Sequence, residues 1–167
     1  MKKFLKSIYQ FFLTIYIFES FSKFKRVNKK GTSVFFVKSL NQVKSNKTIK
    51  KYFEKEKVKL NRFKNGSKFI GLKYRDRVVC SGWVYFGNKW KIEEINKKIK
   101  LKNQYLLFDY RTEKKFRNMG YYKLLLRIIQ NKFQKKRLVI YALSHNNKSI
   151  KAIEGSGFKL VNKMKKY

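Results

Sequence analysis

Proline is absent from the 167 residues, and cysteine, histidine and alanine are scarce. A single cysteine, Cys80, excludes an intramolecular disulfide and a multi-thiolate metal site. A single histidine, His145, argues against a zinc site. We therefore expect no metal cofactor. Cys80 lies in the apolar run of residues 78–83, and we expect a buried structural thiol there.

Acidic residues are also scarce: nine stand against 44 lysines and arginines, for a formal net charge of +35. A charge of this size creates a positive electrostatic field around the protein, and this field attracts nucleic acid, anionic lipid and phosphorylated small molecules. The excess of lysine, with abundant Phe, Tyr, Ile and Asn, is also typical of an AT-rich coding sequence. We attribute most of the charge to that bias, and we expect non-specific polyanion binding at low salt.

Glycine- or serine-rich linkers and internal repeats are missing, so nothing marks a boundary between domains. Hydrophobic residues make up 43% of the chain and aromatic residues 17%, which is too apolar for a disordered chain. We expect a single domain over residues 1–167, of the α/β (α+β) class.

Residues 1–18 are basic at first and then rich in aromatic and apolar residues. Lys6 and Gln10 interrupt the apolar stretch, no small-residue cleavage site follows, and a transmembrane helix needs about 20 apolar residues. On a helix, one face carries Phe4, Ile8, Phe11, Phe12 and Ile15. We expect an amphipathic extension, helix or strand, that packs on the domain, with contact to an anionic membrane as the alternative. The expected location is cytoplasmic, or peripheral at the inner face of the membrane.

Hydrophobic periodicity divides the rest of the chain into strands and helices. Strands are predicted at 33–37, 68–74, 78–86, 90–95, 105–110, 138–143 and from 158, and helices at 48–57, 121–133 and 149–153. A turn signal at residues 75–77 predicts a hairpin. The strands at 105–110 and 138–143 are almost continuously apolar and flank a helix, which indicates parallel pairing through a crossover.

Two polar segments follow these buried strands. The first, Arg117–Tyr122, precedes a helix whose N-terminal N–H groups form an anion site, and Gly120 lets the backbone approach a ligand. The second runs over Asn146–Ile150 and continues through Glu154–Phe158. Taken alone, each segment is also typical of an ordinary helix cap.

Together, in this order and spacing, the two segments resemble the acetyl-CoA site of the GNAT (GCN5-related) N-acetyltransferases. Arg117 and Gly120 match the family's Arg/Gln-x-x-Gly-x-Gly/Ala loop, which cradles the pyrophosphate. The Asn-x-x-Ala/Ser-Ile and Glu-x-x-Gly-Phe patterns are matched by Asn146, Ser149, Ile150, Glu154, Gly157 and Phe158. The resemblance covers residues 105–161, and loosely 68–86. It implies a GNAT-like mixed, mostly antiparallel sheet with a splayed parallel strand pair and helices on both faces.

The resemblance implies acetyl-CoA as co-substrate. The pantetheine arm would enter the gap between the splayed strands and pair with the backbone of Phe108 to Tyr110. The pyrophosphate would be held by the backbone of Arg117, Asn118, Met119, Gly120, Tyr121 and Tyr122. Asn146, with Ser149, would contact the pantetheine or order the second helix.

Three departures from the family pattern stand out. Tyr122 occupies the place of the loop's second small residue. Ile153 stands where many relatives carry a tyrosine that protonates the leaving thiolate. Only nine residues follow Phe158, so the family's last hairpin is reduced to one strand.

Transfer to an amine needs a base and a polarised thioester carbonyl. The candidate bases are Asp109, Glu93 and Glu94. Asp109 interrupts a buried strand beside the expected thioester position, with a structural ion pair as the alternative role. The candidate acids are Tyr110 and Tyr141, and core packing is the alternative for Tyr141.

Residues 108–129, with two further aromatic segments, resemble a GNAT subgroup associated with bacterial capsule or O-antigen polysaccharide biosynthesis. That resemblance implies an amino sugar, free or nucleotide-linked, as acceptor. Two alternatives stay open: acetylation of a protein or another small amine, and a catalytically inactive GNAT-like protein that binds nucleic acid.

Overall fold

A computed structural model describes residues 13–20 and 29–167. The strands in these ranges are β1 Thr14–Ser20, β2 Thr32–Val37, β3 Lys68–Tyr74, β4 Arg77–Tyr85, β5 Lys89–Ile92, β6 Lys97–Lys100, β7 Gln104–Thr112, β8 Arg137–Leu143 and β9 Phe158–Lys165. The α-helices are α1 Leu40–Ser45, α2 Lys47–Lys55, α3 Tyr121–Lys132 and α4 Asn147–Gly155. Short 3-10 helices cover Leu60–Asn65, Glu93–Ile95 and Lys114–Phe116.

Seven strands form one sheet in the order β2-β3-β4-β7-β8-β1-β9. Its neighbours pair antiparallel, except β7 and β8, which run parallel from Gln104↔Arg137 to Leu107↔Ile140. Strands β5 and β6 form a separate hairpin. The mixed, mostly antiparallel α/β (α+β) sheet expected from the sequence is confirmed.

Each face of the sheet has its own core, because successive side chains of a strand point to opposite faces. On one face, Leu125 and Ile129 of α3 and Ile153 of α4 are fully buried. On the other face, Phe53 of α2 packs in a cluster that includes Trp83 and residues of the β5–β6 hairpin. Helices therefore cover both faces, as the GNAT-like prediction requires.

The N-terminal strand β1 lies between β8 and β9. Of the two alternatives for residues 1–18, helix or strand, the strand is present over Thr14–Phe18, because this β-branched and aromatic run pairs with β8 on one side and β9 on the other. Ile15 and Phe18 are fully buried, so they are not available to a membrane. The part of the prediction that falls on residues 1–12 lies outside the described residues. None of the helices in residues 13–20 and 29–167 is both long and apolar enough to span a membrane.

Two further expectations need correction around the hairpin of β5 and β6. The strand predicted for 90–95 ends at Ile92 and turns into the 3-10 helix Glu93–Ile95. Its partner β6 was not predicted, because its sequence, KKIK, carries a single apolar residue. The expected burial of Cys80 is confirmed, and burial raises the pKa of its thiol to about 12.

Candidate active site

The parallel pairing of β7 and β8 ends at Leu107 and Ile140, although both strands continue. Beyond this point β7 follows β4 as far as Thr112, and β8 follows β1 as far as Leu143. Within the described residues, no strand pairs with this edge of β7 past Leu107. The two strands therefore splay as expected, and a cleft of about 540 Å³ opens between them.

A bulge in β7 begins where the strands part. Trp83 pairs with Phe108 and Ser81 pairs with Arg111, so two residues of β7 lie opposite Gly82 alone. The first, Asp109, has a φ of 51°. The second, Tyr110, lays its ring where a Cβ on Gly82 would be, so only glycine fits there.

The cleft passes through the sheet from one face to the other. What we term the helix half lies on the side of α3 and α4 and is lined by Tyr110, Tyr122, Ala142, Asn146 and Ser149. What we term the hairpin half lies on the side of the β5–β6 hairpin and is lined by Lys59, Arg62, Trp90, Lys91, Glu93, Glu94, Asp109 and Tyr141. One ligand could therefore reach the split from each face.

The loop before α3 leaves the first backbone N–H groups of the helix without a side-chain cap. Gly120 is the N-cap of α3 with a φ of 78°, and no side chain caps the helix. The first bond within the helix runs from the N–H of Leu124 to the carbonyl of Gly120, at 2.9 Å. The N–H groups of residues 121–123 therefore have no partner within the helix, and they lie at its positive end.

Most side chains of this loop are not directed at a ligand. The Arg117 Nε donates a hydrogen bond to the carbonyl of Thr112 at 3.2 Å. The Tyr121 side chain is only 3% exposed and packs in the core. Met119 points into solvent, while its carbonyl accepts a hydrogen bond from Lys29 at 3.5 Å. If this segment contacts a cofactor, it does so chiefly through its backbone.

Tyr122 spans the helix half. Its ring lies 5.7 Å from the ring of Tyr110, and its side chain interacts with that of Ser149. Tyr122 is in the first turn of α3 and Ser149 in the first turn of α4, so the contact joins the two helix N-termini. Burial raises the pKa of Tyr122 well above its usual range. A ligand arm that passes between the two helices has to displace this ring.

The segment that begins α4 orders that helix. The Asn146 side-chain oxygen accepts a hydrogen bond from the N–H of Ser149 at 3.2 Å, which caps the helix. Ile153 is fully buried in the core and does not line the cleft. It therefore offers no group to a leaving thiolate.

Tyr110 brings a second hydroxyl to the helix half. The hydroxyl is buried and has no hydrogen-bond partner among the described residues. Burial raises the pKa of Tyr110 well above its usual value, and the neighbouring Tyr122 raises it further. The hydroxyl therefore stays protonated and has a hydrogen bond to donate.

Arg62 and Asp109 form an ion pair in the hairpin half. The Arg62 guanidinium also lies 5.0 Å from the ring centre of Phe108 and is only 17% exposed as a side chain. The Asp109 side chain is 40% exposed, so the expectation of a carboxylate within a buried strand is wrong. The bulge turns it outward, and the ion pair considered as its alternative role is present.

Two glutamates from the β5–β6 hairpin face the same space. The Glu93 carboxylate lies 3.1 Å from the Lys91 amine. Glu94 lies near Tyr141, whose pKa is raised to about 12, first by burial and then by the charge of Glu94. Trp90 packs against Phe108 with ring centres 4.4 Å apart and forms one wall.

Sequence reasoning missed Arg62, Lys59 and Trp90. In the sequence, the only local feature that sets one of these three residues apart is that Trp90 is one of two tryptophans in the chain. Across residues 13–20 and 29–167, no group of three or more His, Cys, Asp or Glu is arranged to hold a metal ion.

No protein-family model matches the sequence, and no curated protein matches it either. Solved structures do match the fold. An acetyltransferase of the GNAT family from Novosphingobium aromaticivorans superposes with a TM-score of 0.58 at 11% identity, covering 92% of this chain and 62% of that one. A GNAT-family acetyltransferase from Colwellia psychrerythraea gives 0.54 at 12% identity, covering 89% and 53%.

A third match, a GCN5-related N-acetyltransferase-like protein from Streptococcus suis, gives a TM-score of 0.52 at 10% identity, covering 98% of this chain and 65% of that one. The chain thus spans under two thirds of the length of all three proteins. At these identities the likeness shows the fold alone: this protein has the fold of the GNAT acetyltransferases.

Proposed function

We propose that the protein is an acyl-CoA-dependent N-acetyltransferase that moves an acetyl group from acetyl-CoA to a primary amine. The observation that carries the proposal is the split between β7 and β8, which opens toward the uncapped N-terminus of α3 on one face and toward three carboxylates on the other. Acetyl-CoA has its pyrophosphate and its thioester at opposite ends of the pantetheine arm. The split therefore suits a thioester that meets an amine arriving from the opposite face.

In this proposal, acetyl-CoA occupies the helix half. Its pyrophosphate lies on the backbone of residues 117–122 at the N-terminus of α3. The pantetheine arm passes between α3 and α4, beside Asn146 and Ser149, and pairs with the free backbone edge at Phe108–Tyr110. The Tyr122 ring rotates away to admit the arm.

The amine occupies the hairpin half, where Asp109, Glu93 and Glu94 are the candidate bases. The nitrogen gives a proton to the base and attacks the thioester carbon. A C–N bond forms, the C–S bond breaks, and the electron pair stays on sulfur. A backbone N–H of β7 polarises the carbonyl oxygen, and Tyr110 is the candidate donor of the proton that the sulfur takes up.

For the acceptor, we propose an amino sugar, free or nucleotide-linked, in surface polysaccharide biosynthesis. The resemblance of residues 108–129 to the polysaccharide-associated subgroup supports this choice. So does the charge around the hairpin half. Three carboxylates line the cleft there, whereas the cleft and the adjoining groove together carry five cations: Lys59, Arg62, Lys89, Lys91 and Arg111. Cations of this kind bind the phosphates of a nucleotide. For this proposed reaction, we expect the protein to be located in the cytoplasm or at the inner surface of the membrane.

A second candidate function is nucleic-acid binding by a catalytically inactive domain. The observation that favours it is the Tyr122–Ser149 contact, which occupies the proposed path of the pantetheine arm. The net charge of +35 would supply the affinity. Acetylation of a protein or another small amine remains the alternative within the enzyme class.

Isothermal titration with acetyl-CoA at physiological salt tests the proposal, with ATP as a polyanion control. We expect saturable one-to-one binding of acetyl-CoA and much weaker binding of ATP. Affinity for acetyl-CoA no greater than for ATP would overturn the cofactor assignment. Duplex and single-stranded RNA, titrated at the same salt, would then test the second candidate.

Turnover is measured as release of the free CoA thiol over a panel of amines that includes glucosamine. The only cysteine of the protein is buried, so it does not react with the thiol reagent in the folded state. Acetylation of glucosamine or of a nucleotide-linked amino sugar supports the proposed acceptor. Transfer only to peptides or polyamines would replace it.

A further inference from the structure

Three carboxylates in the hairpin half are candidate bases, and the structure separates them by their partners. The Asp109 carboxylate forms an ion pair with the Arg62 guanidinium. Protonation of Asp109 would break that ion pair and leave a largely buried guanidinium without its counter-charge, which is costly. Asp109 is therefore a positioning residue that holds Arg62 against Phe108.

Glu93 is also paired, and it lines a second groove as well as the cleft. Its carboxylate lies 3.1 Å from the Lys91 amine, and its side chain is 74% exposed. It also lines the groove that continues from the cleft past Trp90, which Glu94 does not. To accept a proton from an amine, Glu93 would have to give up its contact with the Lys91 amine.

Glu94 has no ion-pair partner among the residues that the structure describes. It lines the same cleft as Tyr141 of β8, and its charge contributes to the raised pKa of Tyr141. Glu94 is exposed, as Glu93 is, so solvent access does not distinguish the two. The backbone that carries Glu94 is well anchored, because Ile92 and Ile95 on either side are buried. The other charged groups around this part of the cleft are Lys59, Arg62, Lys91, Glu93, Asp109 and Arg111.

The geometry points to Glu94 as the base of the transfer, with the Tyr141 hydroxyl beside it to bind the acceptor nitrogen. This inference rests on the proposed acetyl transfer. As the C–N bond forms, the nitrogen's proton passes to a Glu94 carboxylate oxygen, directly or through one water. The C–S electron pair leaves with the sulfur, which takes a proton from the donor on the helix half.

Glu94→Gln is compared with Glu54→Gln, because each removes one negative charge from an exposed glutamate, and Glu54 on α2 does not line the cleft. We expect Glu94→Gln to lower kcat/KM by at least about 100-fold, the size of a lost general base. Glu54→Gln should stay close to wild type. Both variants should bind acetyl-CoA normally, since neither position contacts the helix half.

A second measurement does not need turnover. Glucosamine is titrated into the complex of each protein with CoA. We expect wild type and Glu54→Gln to bind it alike and Glu94→Gln to lose at least about tenfold in affinity, the order of one charge-assisted hydrogen bond. A loss confined to Glu94→Gln indicates that Glu94 acts directly on the amine, because both variants change the net charge of the protein by the same amount.

Equal losses in the two variants, or normal kcat/KM and glucosamine affinity in Glu94→Gln, would overturn the assignment. If wild type transfers acetyl groups but only Asp109→Asn is impaired, the proposed function stands and the base is Asp109. If no amine is acetylated but glucosamine binding depends on Glu94, the amine site stands and the proposed function fails.

Discussion

The two halves of the cleft offer different chemistry to a ligand. The helix half presents backbone N–H groups at the start of α3, while the Tyr121 side chain is buried and the Arg117 side chain is tied to Thr112. The hairpin half presents charged side chains from separate elements: the 3-10 helix that carries Arg62, the hairpin with Glu93 and Glu94, and the bulge with Asp109. A backbone site depends on φ and ψ, whereas a side-chain site depends on residue identity. The first half should therefore be sensitive to conformation, and the second to single charges.

Each half also contains a contact between two side chains, which an incoming ligand has to displace or pack against. In the helix half, Tyr122 reaches Ser149 across the gap. In the hairpin half, Arg62 and Asp109 form an ion pair beside Phe108. Variants that break one contact at a time can therefore assign a ligand to each half.

Gly120→Glu should have the largest effect, because it disturbs the conformation that forms the backbone site. A residue with a Cβ pays about 1–2 kcal/mol in the left-handed region, and the new carboxylate repels a phosphate. We expect the Kd for acetyl-CoA to rise at least about 100-fold, or about 2.8 kcal/mol. Isothermal titration measures it.

Gly66→Glu is the matched control. Gly66 has a φ of 81°, and a Cβ there, as at Gly120, would meet no atom within 4 Å. Both variants therefore carry similar backbone strain and the same added charge, but Gly66 lies outside the helix half. Equal loss of acetyl-CoA affinity in both would remove the anion site from the loop before α3.

Asp109→Asn tests the hairpin half. Asparagine tolerates the positive φ at this position, so the main change is the loss of charge opposite Arg62. We expect turnover to fall about tenfold, because the guanidinium loses its partner beside the amine site and the pair is only partly buried. Acetyl-CoA affinity should stay near that of wild type.

The control for this variant is Asp76→Asn, which makes the same change at a φ of 61° in the turn between β3 and β4. It should leave turnover unchanged. A similar loss in both variants would mean that net charge, rather than the ion pair, governs the reaction.

Tyr122→Phe should raise the affinity for acetyl-CoA, whereas Gly120→Glu should lower it. It removes the hydroxyl that interacts with Ser149 but keeps the ring, so a ligand arm displaces the side chain more easily. A net hydrogen bond of about 1 kcal/mol corresponds to about a fivefold gain in acetyl-CoA affinity. Tyr141→Phe removes a hydroxyl from the hairpin half and should not change this affinity. A loss of affinity in Tyr122→Phe would show that the hydroxyl binds the cofactor instead.

Tyr110→Phe should have the smallest effect, and it should be stabilising. It removes a buried hydroxyl without a partner among the described residues, so the free energy of unfolding should rise by about 1 kcal/mol. Urea titration measures it. Tyr52→Phe is the control with the opposite sign, because it removes a hydroxyl that lies 2.7 Å from that of Ser81. Lower turnover in Tyr110→Phe, despite its higher stability, would support Tyr110 as the proton donor.

The stabilising effect of Tyr110→Phe should grow at alkaline pH. Burial raises the pKa of Tyr110 in the folded protein above its ordinary value of 10.0. Above pH 10, the unfolded chain loses a proton that the folded protein retains, so wild-type stability falls as pH rises. The variant lacks this group. A constant difference between the two proteins across pH 10 would contradict the burial of the hydroxyl.

Local patterns in the sequence were sufficient for much of the fold. The apolar runs predicted β7 and β8, the periodicity of residues 121–133 predicted α3, and the turn signal predicted the hairpin of β3 and β4. The loop at Gly120 and the cap at Asn146 were also visible, because both depend on neighbours within a few residues. These features follow from short-range backbone preferences, which the sequence states directly.

Only the tertiary structure decided what joins these features into a cleft. The pairing of β1 between β8 and β9, the ion pair of Arg62 with Asp109, and the contact of Tyr122 with Ser149 link distant parts of the chain. The bulge that turns Asp109 outward depends on the match between β4 and β7, which neither strand encodes alone. By itself, the sequence determined most of the elements and the turn at Gly120, because those are local. The tertiary structure decided which charges and hydroxyls face one another, because packing across the sheet sets those distances.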